Sequence, residues 1–192
     1  MRFHKIVLSG LTAIACLGMA SEAVAGGRNA GSLLLYPEFD NRDGDVTVLT
    51  ITNVSDTDSV AVEFVYIGRY GETSNEEIYC EEFNREETLT PNDTLTLLTN
   101  NHNPQMEQGY VYTFAREGVG NPVLHNGLIG NAMTIDGFSR VEYSVNAVSY
   151  LGIDPTDDGN GLRDLDGSEY ETTAAEIQIP RFFGQGGPFE SE

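Results

Sequence analysis

The chain has 192 residues, no tryptophan and a formal net charge of −20, with 10 basic residues against 30 carboxylates. A field of that sign repels nucleic acid and anionic membrane surfaces, which excludes both as expected partners and leaves divalent cations as the species it attracts. Acidity carried with arginine in place of lysine also fits saline surroundings, where screening relieves self-repulsion.

The first 25 residues read as a secretory signal peptide. Arg2, His4 and Lys5 make a basic start, Ile6 to Ala20 is an apolar run, and Ala23-Val24-Ala25 offers a small-residue cleavage site before Gly26. The run is short for a transmembrane helix, and no membrane insertion of the mature chain is expected. Cys16, in TAIAC, supports a competing reading as a lipid-modified cysteine, although Ala13 stands where leucine is usual. Export to the periplasm, the cell surface or the medium is the expectation. Cleavage at Ala25 leaves 167 residues, enough for one domain with its own core. Cys80 would then be the only cysteine, so no intramolecular disulfide is expected. In EEIYCEEF it reads as a small buried apolar residue, since flanking glutamates raise a thiol's pKa.

Beyond a tether at 26–31, short runs of β-branched and aromatic residues recur between Gly, Asn, Asp and Pro clusters. No segment holds a helical period, and the pattern is that of an all-β chain. The spacing predicts strands at 32–36, 45–53, 59–69, 77–83, 94–99, 110–116, 122–130, 140–151 and 176–180. NRDGD (41–45), NVSDTDS (53–59) and TPNDT (90–94) read as turns. Val60, Val62, Phe64 and Tyr66 fall on one strand face, as do Tyr110, Tyr112 and Phe114, and Val141, Tyr143, Val145 and Ala147. Each row needs an apolar partner, which a second sheet supplies. The expected fold is one antiparallel β-sandwich domain over 32–183, with a long acidic loop at 152–175 and a flexible tail at 184–192.

VTVLTITNVSDTDSVAVEFVYI, followed by LTPNDTLTLLT, resembles the strand–loop–strand pattern of immunoglobulin-like sandwich modules in bacterial exported proteins. The likeness spans about 45–99 and implies only the fold. The mature chain as a whole is similar to uncharacterised secreted bacterial families that end in an acidic loop, which implies no activity.

Catalytic signatures are sparse. His102 in NNHNPQ reads as an exposed loop residue and His125 in PVLHNG as a strand-end residue. No H-x-E, H-E-x-x-H, C-x-x-C or G-x-S-x-G spacing occurs. Glu63 and Glu142 sit between apolar strand neighbours, where a paired-carboxylate hydrolase site is one reading and two solvent-facing residues the simpler one. Tyr70, Tyr79 and Tyr150 are candidates for a sugar-stacking platform or for ordinary sheet-face positions. SLLLY and IPRFFGQ (179–185) offer segments for self-association by addition to a neighbour's sheet edge, or for closing the chain's own sheets.

The sharpest chemistry lies in DPTDDGNGLRDLDGSEYE, Asp154 to Glu171. Against a calcium loop of the D-x-D-x-D-G-x-x-D kind it aligns as Thr156, Asp158, Asn160, Gly161 and Asp164, with the Leu162 carbonyl facing the ion. Thr156 stands where Asp is expected and Gly167 where a bidentate Glu belongs. Asp154 or Asp157 are substitutes for the first, and Glu169 or Asp166 for the second. Two readings stay open, a structural calcium loop and a solvated acidic turn. The functional expectation is a non-catalytic secreted or cell-surface protein that binds an extracellular glycan or protein, or builds structure. A calcium-dependent carbohydrate-binding module is the alternative, and a hydrolase the third.

Overall fold

A computed structural model describes residues 29–42, 44–70, 80–104, 106–118, 121–137, 141–155 and 163–172. The signal-peptide assignment, the 176–180 strand and the 184–192 tail lie outside them. The fold is all-β, as the alternation predicts. Its strands are β1 (Leu33–Asp40), β2 (Val46–Asn53), β3 (Val60–Tyr70), β4 (Cys80–Leu89) and β5 (Thr94–Leu98). A single helical turn, α1 (Thr99–His102), precedes β6 (Met106–Glu117), β7 (Asn121–Pro122), β8 (Leu128–Asp136), β9 (Val141–Asn146) and β10 (Val148–Tyr150).

The strands form two antiparallel sheets. One runs β10-β1-β6-β3-β4, with β7 against β6, and the other runs β5-β2-β8-β9. Leu34, Tyr36 and Phe39 of β1, Val62, Phe64 and Tyr66 of β3 and Val111 of β6 meet Leu49, Ile51, Leu128 and Ala132 of the smaller sheet in one apolar cluster. At about 25 cal/mol per Å² removed from water, this shared core is the main stabilising element of the fold. Gly44 turns the chain from β1 into β2 at φ +93°, a conformation in which a side chain is strained. Gly68 and Gly109 face each other across β3 and β6, so closely that a Cβ on either would run into the opposite backbone.

Several boundaries depart from expectation, each for a physical reason. The 122–130 run is a strand only at its ends: β7 stops at Pro122, and the chain loops through 123–127 before β8 begins. The 140–151 run is two strands. It breaks at buried Ala147, leaving the smaller sheet after β9 and joining the larger one as β10. β4 continues to Leu89 because its whole length pairs with β3. As an edge strand it exposes Glu81, Glu82, Arg85 and Glu86, charges that discourage another strand from adding there. The tether is fixed at its end: Gly31 exchanges both backbone hydrogen bonds with Leu128, each 2.9 Å.

The largest correction concerns the Tyr110, Tyr112, Phe114 row. It does not face the second sheet. Val111 and Ala115 do, and Tyr112 and Phe114 point to the outer face of the larger sheet, where they join Leu33, Val65, Tyr150 and Tyr170 in a second cluster. The larger sheet is therefore buried on both faces, which explains why β1 opens with an unbroken apolar run, Leu33 to Tyr36.

Candidate functional site

Tyr170 belongs to the acidic connection, and its position shows what that connection does. The chain leaves β10 at Tyr150, and residues 151–154 pair antiparallel with 169–171 through a Gly152–Tyr170 bridge. Ile153 N–H and Glu171 N–H donate to the carbonyls of Glu169 and Leu151 at 2.8 and 2.9 Å. Residues 163–172 then lie across the outer face of the larger sheet as a strap. Tyr170 is fully buried, Leu165 packs beside it, and the Arg163 guanidinium sits 4.7 Å over the Phe114 ring. Burial pushes the Tyr170 phenol up to about 12, against the pull of Arg163.

Of the sequence-predicted calcium ligands, Thr156, Asp158, Asn160 and Leu162 lie outside the described residues, as do Asp157 and Gly161. Asp154, Asp164, Asp166 and Glu169 are described. Asp154 is exposed, with its N–H donating 3.2 Å to the Glu169 carbonyl. The Asp166 carboxylate takes the N–H and hydroxyl of Ser168 at 2.8 and 2.5 Å, bonds that hold it below the usual carboxylate range. Glu169 is turned inward and only 4% exposed. Its Oε2 accepts the Asp164 N–H at 2.9 Å, and its Oε1 is buried without a hydrogen-bond partner among the described residues. Among the described residues no group of three or more His, Cys, Asp or Glu converges as a metal site.

His102, His125 and Glu63 are engaged in contacts that join separate elements of the fold. His102 is not an exposed loop residue: it lies on α1, packs edge-on against Phe64, and shares a 2.7 Å hydrogen bond between its Nδ1 and the buried Tyr66 hydroxyl. Burial lowers its pKa, partly offset by Glu87, whose carboxylate is 3.5 Å from Nε2. His125 shares a 2.9 Å hydrogen bond with the Asn53 side-chain oxygen, and Asn53 in turn donates to the carbonyls of Asp58 and Thr90, joining three loops. Glu63 and Glu142 sit on different sheets, and Glu142 is exposed. Glu63 is ion-paired 3.0 Å from buried Arg116, which also reaches Glu86 at 2.9 Å. Tyr150 is a buried member of the outer cluster rather than an open platform. Tyr79 lies outside the described residues, and Tyr70 is placed only by its pairing with Met106.

One cluster escaped the sequence reading. The ends of β1 and β8 and the start of β2 bring Asp40, Asp136 and Asp45 together, with Arg42 bound to Asp40 at 2.9 Å. Partial burial, then the fields of Asp40 and Asp136, raise Asp45 to about 6. NRDGD reads as a turn, and nothing local announces that Asp136 arrives beside it.

No family model matches the chain, and no curated protein matches it. Among solved structures, the crystal structure of Thermotoga maritima 1070 aligns with a TM-score of 0.43 and 11% identity, over 64% of this chain and 96% of that one. At that level the likeness carries no argument about fold or function.

Proposed function

We propose that the chain is an exported, non-catalytic β-sandwich of immunoglobulin-like type, with a binding or structural role outside the cytoplasm and an acidic connection stabilised by calcium. The observation that carries the non-catalytic reading is positive: His102, His125 and Glu63 are each committed to Tyr66, Asn53 and Arg116, bonds that join separate elements. The calcium part is supported by Glu169, a buried carboxylate with one oxygen unpartnered among the described residues, at the base of a loop rich in carboxylates. Burying such an oxygen is costly unless a cation or donor meets it. Affinity in the range of extracellular modules, on the order of 10⁻⁴–10⁻³ M, is expected.

Calorimetry with calcium on the full chain and on Asp158→Ala/Asp164→Ala tests this. Heat and a calcium-dependent rise in melting temperature, both lost in the variant, support it. Neither signal in the wild type leaves an acidic turn. Export is tested by mass spectrometry of protein from the native host, where a Gly26 N-terminus is expected and a lipid-modified Cys16 overturns the soluble reading. A carbohydrate-binding role is the second reading, and the feature behind it is Tyr110, an exposed aromatic side chain on β6. A glycan array decides between that role and a structural one.

A further inference from the structure

The smaller sheet turns one face to the core and the other away from it. Along β2, Val46, Val48, Thr50 and Thr52 are half-buried and the residues between them buried, so these four face outward. The strand register carries that outer face across all four strands. An apolar row runs Leu98–Val48–Met133 and ends at Ser144. Beside it Val46 and Ile135 extend the apolar area, with Glu142 at the rim. On its other side lies a row of hydroxyls and amides, Thr96–Thr50–Asn131–Asn146. Val46, Val48, Met133 and Ile135 belong to neither apolar cluster of the fold, and Leu98 is 41% exposed. Among the described residues of this face Glu142 is the one charge, on a chain of net charge −20. Elsewhere the surface carries acid: β4 exposes Glu81, Glu82 and Glu86, and the 53–59 loop exposes Asp56 and Asp58.

We propose that this face is a self-association surface, on which a second copy of the chain stacks sheet against sheet. Charge selects the face: two molecules of net charge −20 repel wherever their carboxylates meet, and here they approach without opposing them. Symmetry selects the occupant. A two-fold axis parallel to the strands, midway between β2 and β8, lays each row on its own counterpart. Val48 then faces Met133 of the second copy, and Thr50 faces Asn131, a hydroxyl against an amide. The two Glu142 side chains fall about 14 Å apart, three strand spacings, beyond the screening length of about 8–10 Å at moderate salt. Area sets the strength. Four strands about 4.8 Å apart, each contributing about seven residues at about 3.3 Å, make a patch of ~440 Å². Two such faces cover about 900 Å² before side-chain relief, near the lower bound of roughly 1,000 Å² for a specific interface, so the dimer is reversible rather than obligate. This goes beyond the function proposed above and depends on neither calcium nor export.

Sedimentation velocity of the full chain across the micromolar range tests it. A concentration-dependent shift from monomer to dimer is expected, stronger in molar sodium chloride, where the remaining repulsion is screened. Met133→Glu buries two unpaired carboxylates per dimer and should raise the dissociation constant at least roughly a hundredfold. Thr50→Glu, at a position only half-buried in the single chain, should do the same. Circular dichroism checks that both variants keep the fold. Tyr110→Glu, exposed on the other sheet, should leave the dimer unchanged. A monomer at every concentration and salt overturns the proposal, as does a dimer that survives both face variants or is lost in Tyr110→Glu. A monomer whose glycan-array binding disappears in Met133→Glu assigns the face to carbohydrate and overturns it as well.

Discussion

Replacing Arg116 with Met keeps most of the side-chain volume and removes the cation that bridges Glu63 and Glu86. Those glutamates lie directly opposite each other on β3 and β4, an arrangement that like charges destabilise. Arg116 Nη1 lies 3.0 Å from Glu63 and 2.9 Å from Glu86, and Nη2 donates to the Gly118 carbonyl. Removing one partner of a buried ion pair typically costs about 3–5 kcal/mol. The Glu86 side chain is 51% exposed, so its share is screened, and about 2–3 kcal/mol is the expected loss. For a domain of this size that is roughly 4–12 °C in melting temperature. Urea unfolding of the wild type, Arg116→Met, Glu63→Gln and the double variant closes a cycle whose coupling energy should exceed about 1 kcal/mol. In the Arg116→Met background, Glu63→Gln should recover most of the loss. A single-variant cost below about 1 kcal/mol, or no recovery in the double variant, refutes the reasoning.

Asp45 binds its proton more tightly in the folded chain, at about 6, than its ordinary value of 3.8. The folded state therefore holds more protons than the unfolded state between those values, and Asp45 makes stability fall as pH rises through that window. Partial solvent exposure reduces the effect to about 1–2 kcal/mol. Asp45→Asn should stabilise the chain at pH 7 and remove this slope, read as urea midpoints at pH 5 and 7. The lowered pKa of His102 acts in the opposite sense below its ordinary 6.5, so the comparison is made against the variant rather than within the wild type. With a net charge of −20, the melting temperature should rise between low and molar sodium chloride, and a flat profile would remove the electrostatic argument.

Alternation made β2, β3, β5 and β6 readable, because each lies between short polar turns and presents at least one apolar face. Period-two patterning shows that Tyr112 and Phe114 share a face; it does not show which layer covers it. The answer came from the least apolar stretch of the chain. Seven carboxylates between Asp154 and Glu171 mark that stretch for solvent, and they mask the two residues, Leu165 and Tyr170, that bury it. His102 was misplaced for a similar reason. NNHNP has the composition of a surface loop, while the residue that engages the ring, Tyr66, lies 36 positions away. The β9–β10 break was hidden because Ala147 is apolar on either reading, and only the change of sheet distinguishes them. The Asp40, Asp45 and Asp136 cluster depends on a β2–β8 register that no local pattern encodes.

That the acidic segment is a packed layer of the fold, rather than a solvated loop, is tested most directly by urea unfolding of Tyr170→Ala. Removing a fully buried aromatic ring from the outer cluster should lower stability by about 2–4 kcal/mol. A change within about 0.5 kcal/mol of the wild type, the size typical of a surface substitution, would contradict the account.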